Sequence, residues 1–211
     1  MRSIVKRIYE HSINTPDKIA LIGTDTTVNY MALWSGITNV CSLLKLNGIE
    51  TGDRVMLEAG PTVEYLVCCY GIHLAGAVHV PVEKDVPEER INEIAKEIDP
   101  KMILSGHHPL EKLDMTLNEL LGMAPTSNWV FPEEKMLQEI LFTTGTTGKS
   151  KGVMITHYGQ MNMCESQNAV LNYSVDNVWM IPTPMNHAAG LRKTHMSMVR
   201  GSTVLLMDGF R

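Results

Sequence analysis

The sequence predicts an α/β fold in which largely parallel sheets carry helices packed on both faces. Segments with helical periodicity alternate along the chain with short apolar segments that suit buried strands, which is the pattern of that fold class. The 211 residues are 44% hydrophobic, enough to form a sizeable core. We find no internal repeat and no low-complexity tract.

The first half of the chain begins this alternation. Residues 30–46 predict a helix with one apolar face, and an Asn-Gly pair ends it. Residues 53–57 predict a buried strand. Pro61 then opens a second helix that continues to about Leu74. The order helix, strand, helix is the one expected if the helices cover a sheet.

The middle of the chain continues the pattern and then loses it. Residues 76–81 predict a short strand, Pro87 begins a helix with a polar face, and residues 101–104 predict the next strand. Residues 105–135 are harder to interpret. They contain a weak helical pattern near 113–121 and a loop.

The last third begins with a predicted hairpin. Residues 139–142 and 151–155 suit two strands, and the Gly/Thr-rich loop 143–150 joins them. Thr156 is placed to cap a following helix.

Two further strands, 178–181 and 203–206, flank a helix predicted over 188–199. The second half of the chain therefore repeats the alternation of strands and helices seen in the first.

Composition excludes several classes of function. The 18 basic and 23 acidic residues give a net charge of -5 without a basic stripe, so neither nucleic acid nor a membrane surface is an expected partner. No apolar run reaches the roughly 18 residues of a membrane span. The four cysteines form no CxxC pair, and adjacent Cys68 and Cys69 suit burial as thiols, which favours a cytoplasmic location.

The loop TTGTTGKSKG, residues 143–152, carries the clearest chemistry in the sequence. Glycines let backbone N–H groups approach an anion, hydroxyls bind phosphate or Mg²⁺, and lysines supply positive charge. Two glycines separated by two residues do not form a Walker A loop. A solvated hairpin turn is the alternative interpretation. The candidate phosphate-binding residues are Thr143, Thr144, Gly145, Thr146, Thr147, Gly148, Lys149 and Lys151, with Thr143 also the candidate Mg²⁺ ligand.

The segment LFTTGTTGKSKGVMITH, residues 141–157, resembles the phosphate-binding signature of the adenylate-forming, or AMP-binding, superfamily. That superfamily comprises acyl-CoA synthetases, luciferases and peptide-synthetase adenylation domains. Thr144 stands where the signature has serine and Ser150 where it has proline. Both departures are mild, since Thr144 keeps a hydroxyl and Ser150 loses only backbone stiffness.

The resemblance extends along nearly the whole chain. Residues 28–33, 52–55 and 74–81 are similar, in order and spacing, to early segments of the family. It implies that residues 1–211 are the N-terminal portion of the large AMP-binding domain, with the N-terminal part of the adenylate-forming fold. The remainder of that domain and the small C-terminal domain would be absent.

Residues 182–190, PTPMNHAAG, resemble the family segment that lines the acyl pocket. The resemblance implies that His187 lies near the substrate carboxylate, where an imidazole would orient it. A loop histidine that caps the next helix is the alternative. Amino-acid-activating relatives have a Phe-Asp pair near this position, and its absence here favours a carboxylic acid without an α-amino group.

The resemblance implies an ATP-dependent carboxylic acid:CoA ligase that uses Mg²⁺. A fatty or other carboxylic acid would attack the α-phosphorus of ATP to give acyl-AMP, and the thiol of CoA would then displace AMP. The fragment alone is expected to be inactive, because the family's later ribose-binding and catalytic residues cannot be placed. A catalytically silent nucleotide- or partner-binding domain is the alternative, and the oligomeric state stays open, with a homodimer as one option.

Overall fold

A computed structural model of the chain describes residues 2–106, 108–143 and 151–207. Within these ranges nine strands form two sheets and seven α-helices pack against them. The strands are β1 Ile19–Ile22, β2 Thr27–Asn29, β3 Arg54–Glu58, β4 Val78–Val82, β5 Met102–Leu104, β6 Leu137–Phe142, β7 Gly152–Thr156, β8 Val178–Ile181 and β9 Thr203–Leu206. The helices are α1 Ile4–Asn14, α2 Tyr30–Leu46, α3 Val63–Leu74, α4 Glu88–Ile98, α5 Leu117–Gly122, α6 His157–Leu171 and α7 Ala188–Arg200.

The larger sheet has the strand order β5-β3-β4-β6-β7 and is parallel except for its last strand. Helices cover both of its faces. Val55 and Leu57 of β3 belong to the main core, which includes α3. The intervening Met56 packs in a second cluster with Ile94 of α4. This alternation follows from the two-residue period of a strand, and it confirms the predicted α/β architecture.

The smaller sheet has the strand order β2-β1-β9-β8 and joins the two ends of the described chain. Strand β9 pairs in parallel with both β1 and β8, whereas β2 pairs antiparallel with β1. The hydroxyl of Tyr30, at the start of α2, donates a hydrogen bond of 2.7 Å to the carbonyl oxygen of Ser202. The start of α2 is thereby joined to the residue that immediately precedes β9.

Most of the predicted elements are confirmed with small changes at their ends. Helix α2 and strands β8 and β9 have the predicted bounds. The hairpin of β6 and β7 forms, and the Thr156 hydroxyl accepts a hydrogen bond from the Gly159 N–H at the start of α6. Cys68 and Cys69 are buried free thiols, as predicted.

Two regions differ from the predictions. No element is predicted before residue 30, yet α1, β1 and β2 lie there. The weak helix predicted near 113–121 is confirmed only in its second half, as α5, and a separate 3-10 helix Pro109–Leu113 precedes it. Asp114 interrupts them with a left-handed backbone, φ 52°, and Thr116 then starts α5 with a capping box.

None of the helices in the described ranges combines the length and the apolar character that crossing a lipid bilayer would require.

Candidate functional site

The hairpin of β6 and β7 holds the two ends of the Gly/Thr-rich loop together. Phe142 pairs with Gly152 across the antiparallel ladder. One residue further, the backbone N–H of Thr143 donates to the carbonyl oxygen of Lys151 at 3.0 Å, and the Thr143 hydroxyl reaches the same oxygen at 3.4 Å. The chain therefore closes on itself directly below the loop.

Two of the predicted phosphate-binding residues, Thr143 and Lys151, are described by the structure and stand opposite each other at the base of the loop. The remaining predicted residues fall outside the described ranges. These are Thr144, Gly145, Thr146, Thr147, Gly148 and Lys149.

His187 is the residue that begins helix α7. Its backbone is extended, φ -101° and ψ 145°, and its side chain is exposed and makes no capping hydrogen bond. His187 thus occupies the capping position of α7, as the alternative interpretation predicts. Its imidazole, however, makes no capping hydrogen bond. The exposed ring is instead available to a ligand.

A cavity of about 340 Å³ brings the two predicted parts of the site together. Leu141, Phe142 and Thr143 line one part of it, from the end of β6, together with Val153 of β7. The other part is formed by Asn186, His187, Ala188 and Arg192, around the first turn of α7. Thr143 and His187 are far apart in the sequence, yet they border the same space.

Arg192 is a residue of this cavity that the sequence-based predictions missed. It lies four residues after Ala188 and hence on the same face of α7. The Nε of its half-buried side chain has no hydrogen-bonding partner among the described residues. A guanidinium beside an open cavity can bind a carboxylate or a phosphate. The spacing of four residues between Ala188, in the PTPMNHAAG segment, and Arg192 is the sequence signal that could have identified Arg192.

A larger cavity, of about 470 Å³, contains neither Thr143 nor His187. Its polar wall includes Glu64 and His108, whose side chains bind each other through Oε2 and Nδ1 at 3.2 Å. The Leu110 N–H donates to the other carboxylate oxygen at 3.0 Å. Because these groups already satisfy one another, the cavity beside Thr143 is the better candidate for binding an anionic substrate.

The comparisons with known proteins agree with the fold. The family described as AMP-binding enzyme matches residues 9–211. Among curated proteins, the chain is 30% identical over 169 residues to one of the subunits of mycosubtilin synthase from Bacillus subtilis, covering 75% of this chain and 6% of that protein. It is 32% identical over 165 residues to phenyloxazoline synthase MbtB of Mycobacterium sp. (strain MCS), covering 76% of this chain and 14% of that protein. The chain thus spans only a small part of these relatives.

Solved structures show the same architecture. The inhibitor-bound N-terminal domain of FACL13 from Mycobacterium tuberculosis has a TM-score of 0.89 and 25% identity, covering all of this chain and 58% of that one. ATP-bound MatB from Rhodopseudomonas palustris has a TM-score of 0.88 and 21% identity, covering all of this chain and 46% of that one.

The two-sheet fold, with a Gly/Thr-rich hairpin at the edge of the larger sheet, defines a domain of the adenylate-forming class of enzymes. The chain belongs to the AMP-binding enzyme family. Family membership supports ATP as a ligand.

Proposed function

We propose that the protein activates a carboxylic acid with ATP and passes the acyl group to CoA, with residues 1–211 as the N-terminal portion of its large AMP-binding domain. A carboxylate oxygen attacks the α-phosphorus of ATP, the bond to the β-phosphate oxygen breaks, and pyrophosphate leaves. In the second half-reaction the CoA thiol attacks the acyl carbon and AMP leaves. The observation that carries this proposal is that Thr143 and His187 line one cavity.

Each part of the cavity has a role in the first half-reaction. The loop that Thr143 and Lys151 close would bind the phosphates through the residues Thr143, Thr144, Gly145, Thr146, Thr147, Gly148, Lys149 and Lys151. The His187 imidazole would orient the incoming carboxylate, which needs alignment and no base. The Arg192 guanidinium would add positive charge where two anions must approach each other.

Thr143 is also the proposed ligand for Mg²⁺. Its hydroxyl donates a hydrogen to the Lys151 carbonyl, but a hydroxyl that donates still has lone pairs for a cation. Oxygen is the ligand that Mg²⁺ prefers, and the residue fits the ion in this respect. Mg²⁺ would neutralise phosphate charge when it is bound.

The class of acid is proposed from the sequence around His187. The segment PTPMNHAAG has no Phe-Asp pair to bind an ammonium group, which favours a fatty or other carboxylic acid without an α-amino group.

The curated relatives supply a specific reason for a second candidate function. They include synthases of mycosubtilin, tyrocidine and gramicidin S, so activation of an amino acid or aryl acid for peptide synthesis is the competing function.

The experiment measures exchange of labelled pyrophosphate into ATP by the full-length protein, across a panel of fatty, aryl and amino acids. We expect exchange to depend on an acid without an α-amino group. Replacing Thr146 and Thr147 by alanine should lower exchange about 10²-fold, the scale of losing a transition-state charge contact. His187→Ala should mainly raise the KM for the acid and leave the KM for ATP nearly unchanged.

The matched control is the double variant Thr24→Ala and Thr27→Ala, since both threonines are exposed and neither lines the cavity. It should exchange at the wild-type rate. An unaltered rate in the Thr146 and Thr147 variant would contradict the phosphate-loop assignment and restore the solvated hairpin. Exchange only with amino acids would support the competing function. Binding of a partner without any exchange would support a catalytically silent domain.

A further inference from the structure

A cluster of potential metal ligands lies in the core, apart from the cavity beside Thr143. Cys69 and His73 come from α3, His79 from β4 and Glu139 from β6, and all four side chains have no solvent exposure. Helical spacing of four residues places Cys69 and His73 on one face of α3. That face packs on the sheet strand that carries His79. Nothing in the proposed reaction uses these residues.

The distances among three of these side chains suit one metal ion. Cys69 Sγ lies 3.5 Å from His79 Nδ1 and 3.9 Å from His73 Nε2, and the three atoms are all within 4.8 Å of one another. A tetrahedral zinc ion with ordinary Zn–S and Zn–N bonds separates its sulfur and nitrogen ligands by about 3.5 Å. The three donor atoms therefore already stand near the corners of a zinc site.

Glu139 is the candidate fourth ligand, although its carboxylate would have to move closer, because it lies outside the group of donor atoms that are within 4.8 Å of one another. It stands beside His79 in the parallel ladder of β4 and β6, so that both side chains lie on the same face of the sheet. Its Oε2 is 3.5 Å from His195 Nε2, and its Oε1 has no hydrogen-bonding partner among the described residues. A buried carboxyl oxygen without a partner is costly unless it binds a metal or accepts a hydrogen bond.

The surroundings of His79 match those of a metal-bound imidazole. Its other nitrogen, Nε2, lies 3.4 Å from the hydroxyl of Tyr65, and that hydroxyl donates to the carbonyl oxygen of Met185 at 3.4 Å. The tyrosine hydroxyl can thus accept a hydrogen from Nε2, which leaves the Nδ1 lone pair directed at the cluster. Histidine ligands of zinc commonly donate their second N–H in this way.

We propose that Cys69, His73, His79 and Glu139 bind one structural Zn²⁺ ion. The thiol proton is released to solvent as the sulfur binds, and the two charges of the ion are balanced by one thiolate and one carboxylate. Four protein ligands leave no open position, so the ion would have no part in the chemistry. It would link α3 to β4 and to β6, the strand that leads to Thr143. Since the ligands are fully buried, the metal must enter while the chain folds.

The test uses the full-length protein without a polyhistidine tag, refolded from denaturant with Zn²⁺ and then treated with a chelator. We expect about one zinc per chain by elemental analysis. Cys69→Ser should lower the affinity for zinc about 100-fold or more. Cys68→Ser is the matched control, because Cys68 is the adjacent cysteine, is equally buried and is not in the cluster. It should retain the ion.

A second measurement does not require the Cys69→Ser variant to fold. Wild type refolded with Co²⁺ should show a thiolate-to-cobalt charge-transfer band, and so should the Cys68→Ser variant. If Cys69→Ser does not fold, His79→Gln and Glu139→Gln replace it in the metal analysis. Wild type that retains less than about 0.1 metal ion per chain overturns the proposal. Metal retention in Cys69→Ser or His79→Gln equal to that in Cys68→Ser overturns it as well.

Discussion

Gly190 lies against the carbonyl oxygen of Pro184 so closely that a Cβ atom at Gly190 would be 2.4 Å from that oxygen. The carbonyl oxygen of Thr183 would be only 2.5 Å away. Both obstacles are backbone atoms, so no side-chain rotation could remove them. The first turn of α7 therefore packs directly against the backbone of the segment that precedes His187, the N-cap of the helix.

Gly190→Ala should therefore destabilise the protein, because the backbone of α7 or of the preceding segment must move. We expect a loss of about 1–3 kcal/mol in the free energy of unfolding, the usual scale of overpacking. Urea denaturation checks this value. In the control variant Gly159→Ala, the new methyl group would meet only the Thr156 hydroxyl, at 3.4 Å. Equal stability of the two variants would contradict the close contact.

Gly71 allows α2 and α3 to approach each other. A Cβ at Gly71 would lie 2.3 Å from Val40 Cγ1 and 2.6 Å from Val40 Cβ. Gly71→Ala should cost about 1–3 kcal/mol of folding stability by overpacking. Val40→Gly removes both clashing atoms, so the double variant should be more stable than the sum of the single effects predicts. The control Gly122→Ala, which meets no atom within 4 Å, should be nearly neutral. Additive single effects would disprove the clash.

Asn29 caps the longest helix of the described chain. Its Oδ1 accepts a hydrogen bond of 2.8 Å from the backbone N–H of Ala32, at the start of α2. Asn29→Ala should cost about 1 kcal/mol, whereas Asn29→Asp should keep most of the stability because aspartate also caps well. Thermal unfolding of the two variants is the measurement. A loss of the same size in both variants would show that the cap is not the cause.

The pair of His108 and Glu64 predicts a pH dependence of stability. The hydrogen bond from His108 to Glu64 raises the pKa of the imidazole above its usual value. Because the pKa is higher in the folded state, the pair stabilises that state fully below the pKa of the unfolded state, about 6.5. The stabilisation is lost as the pH rises through the pKa of the folded state. Wild type should therefore exceed His108→Gln in melting temperature most at about pH 6, and the difference should shrink toward pH 9.

His11 serves as a control, because its effect on stability should change with pH in the opposite direction. Burial lowers the pKa of its imidazole, although a hydrogen bond with the Val199 carbonyl opposes that change. Its contribution to stability is complete above about pH 6.5 and decreases as the pH falls. Relative to His11→Gln, wild type should thus lose stability toward acid pH. If both variants change in the same direction with pH, the assignment of the His108 and Glu64 pair is wrong.

Local signals in the sequence determined much of the fold. Helix α2 was predicted with its correct bounds, because its apolar stripe and the Asn-Gly stop lie within the helix or beside it. The hairpin followed from two short apolar segments around a Gly/Thr-rich loop, and Thr156 was recognised as a helix cap for the same local reason.

The N-terminal elements show where local signals were insufficient. Helix α1 is the exception, because its strong apolar face and its cap at Ser3 are local signals from which a helix can be predicted. Strand β1 has only four residues, and what stabilises it is parallel pairing with β9, at the other end of the described chain. No local pattern specifies a partner at that distance.

Local sequence specifies the Gly/Thr-rich composition of the loop and the periodicity of the elements beside it, since both depend on neighbours within a few positions. The cavity shared by Thr143, His187 and Arg192, and the contact of Cys69 with His79 in the core, arise only when the chain folds in three dimensions. These juxtapositions depend on which strands pair and on which helix face each strand buries. The pairing of strands and helix faces minimises the exposed apolar area of the whole chain. It therefore cannot be predicted from a short segment of sequence alone.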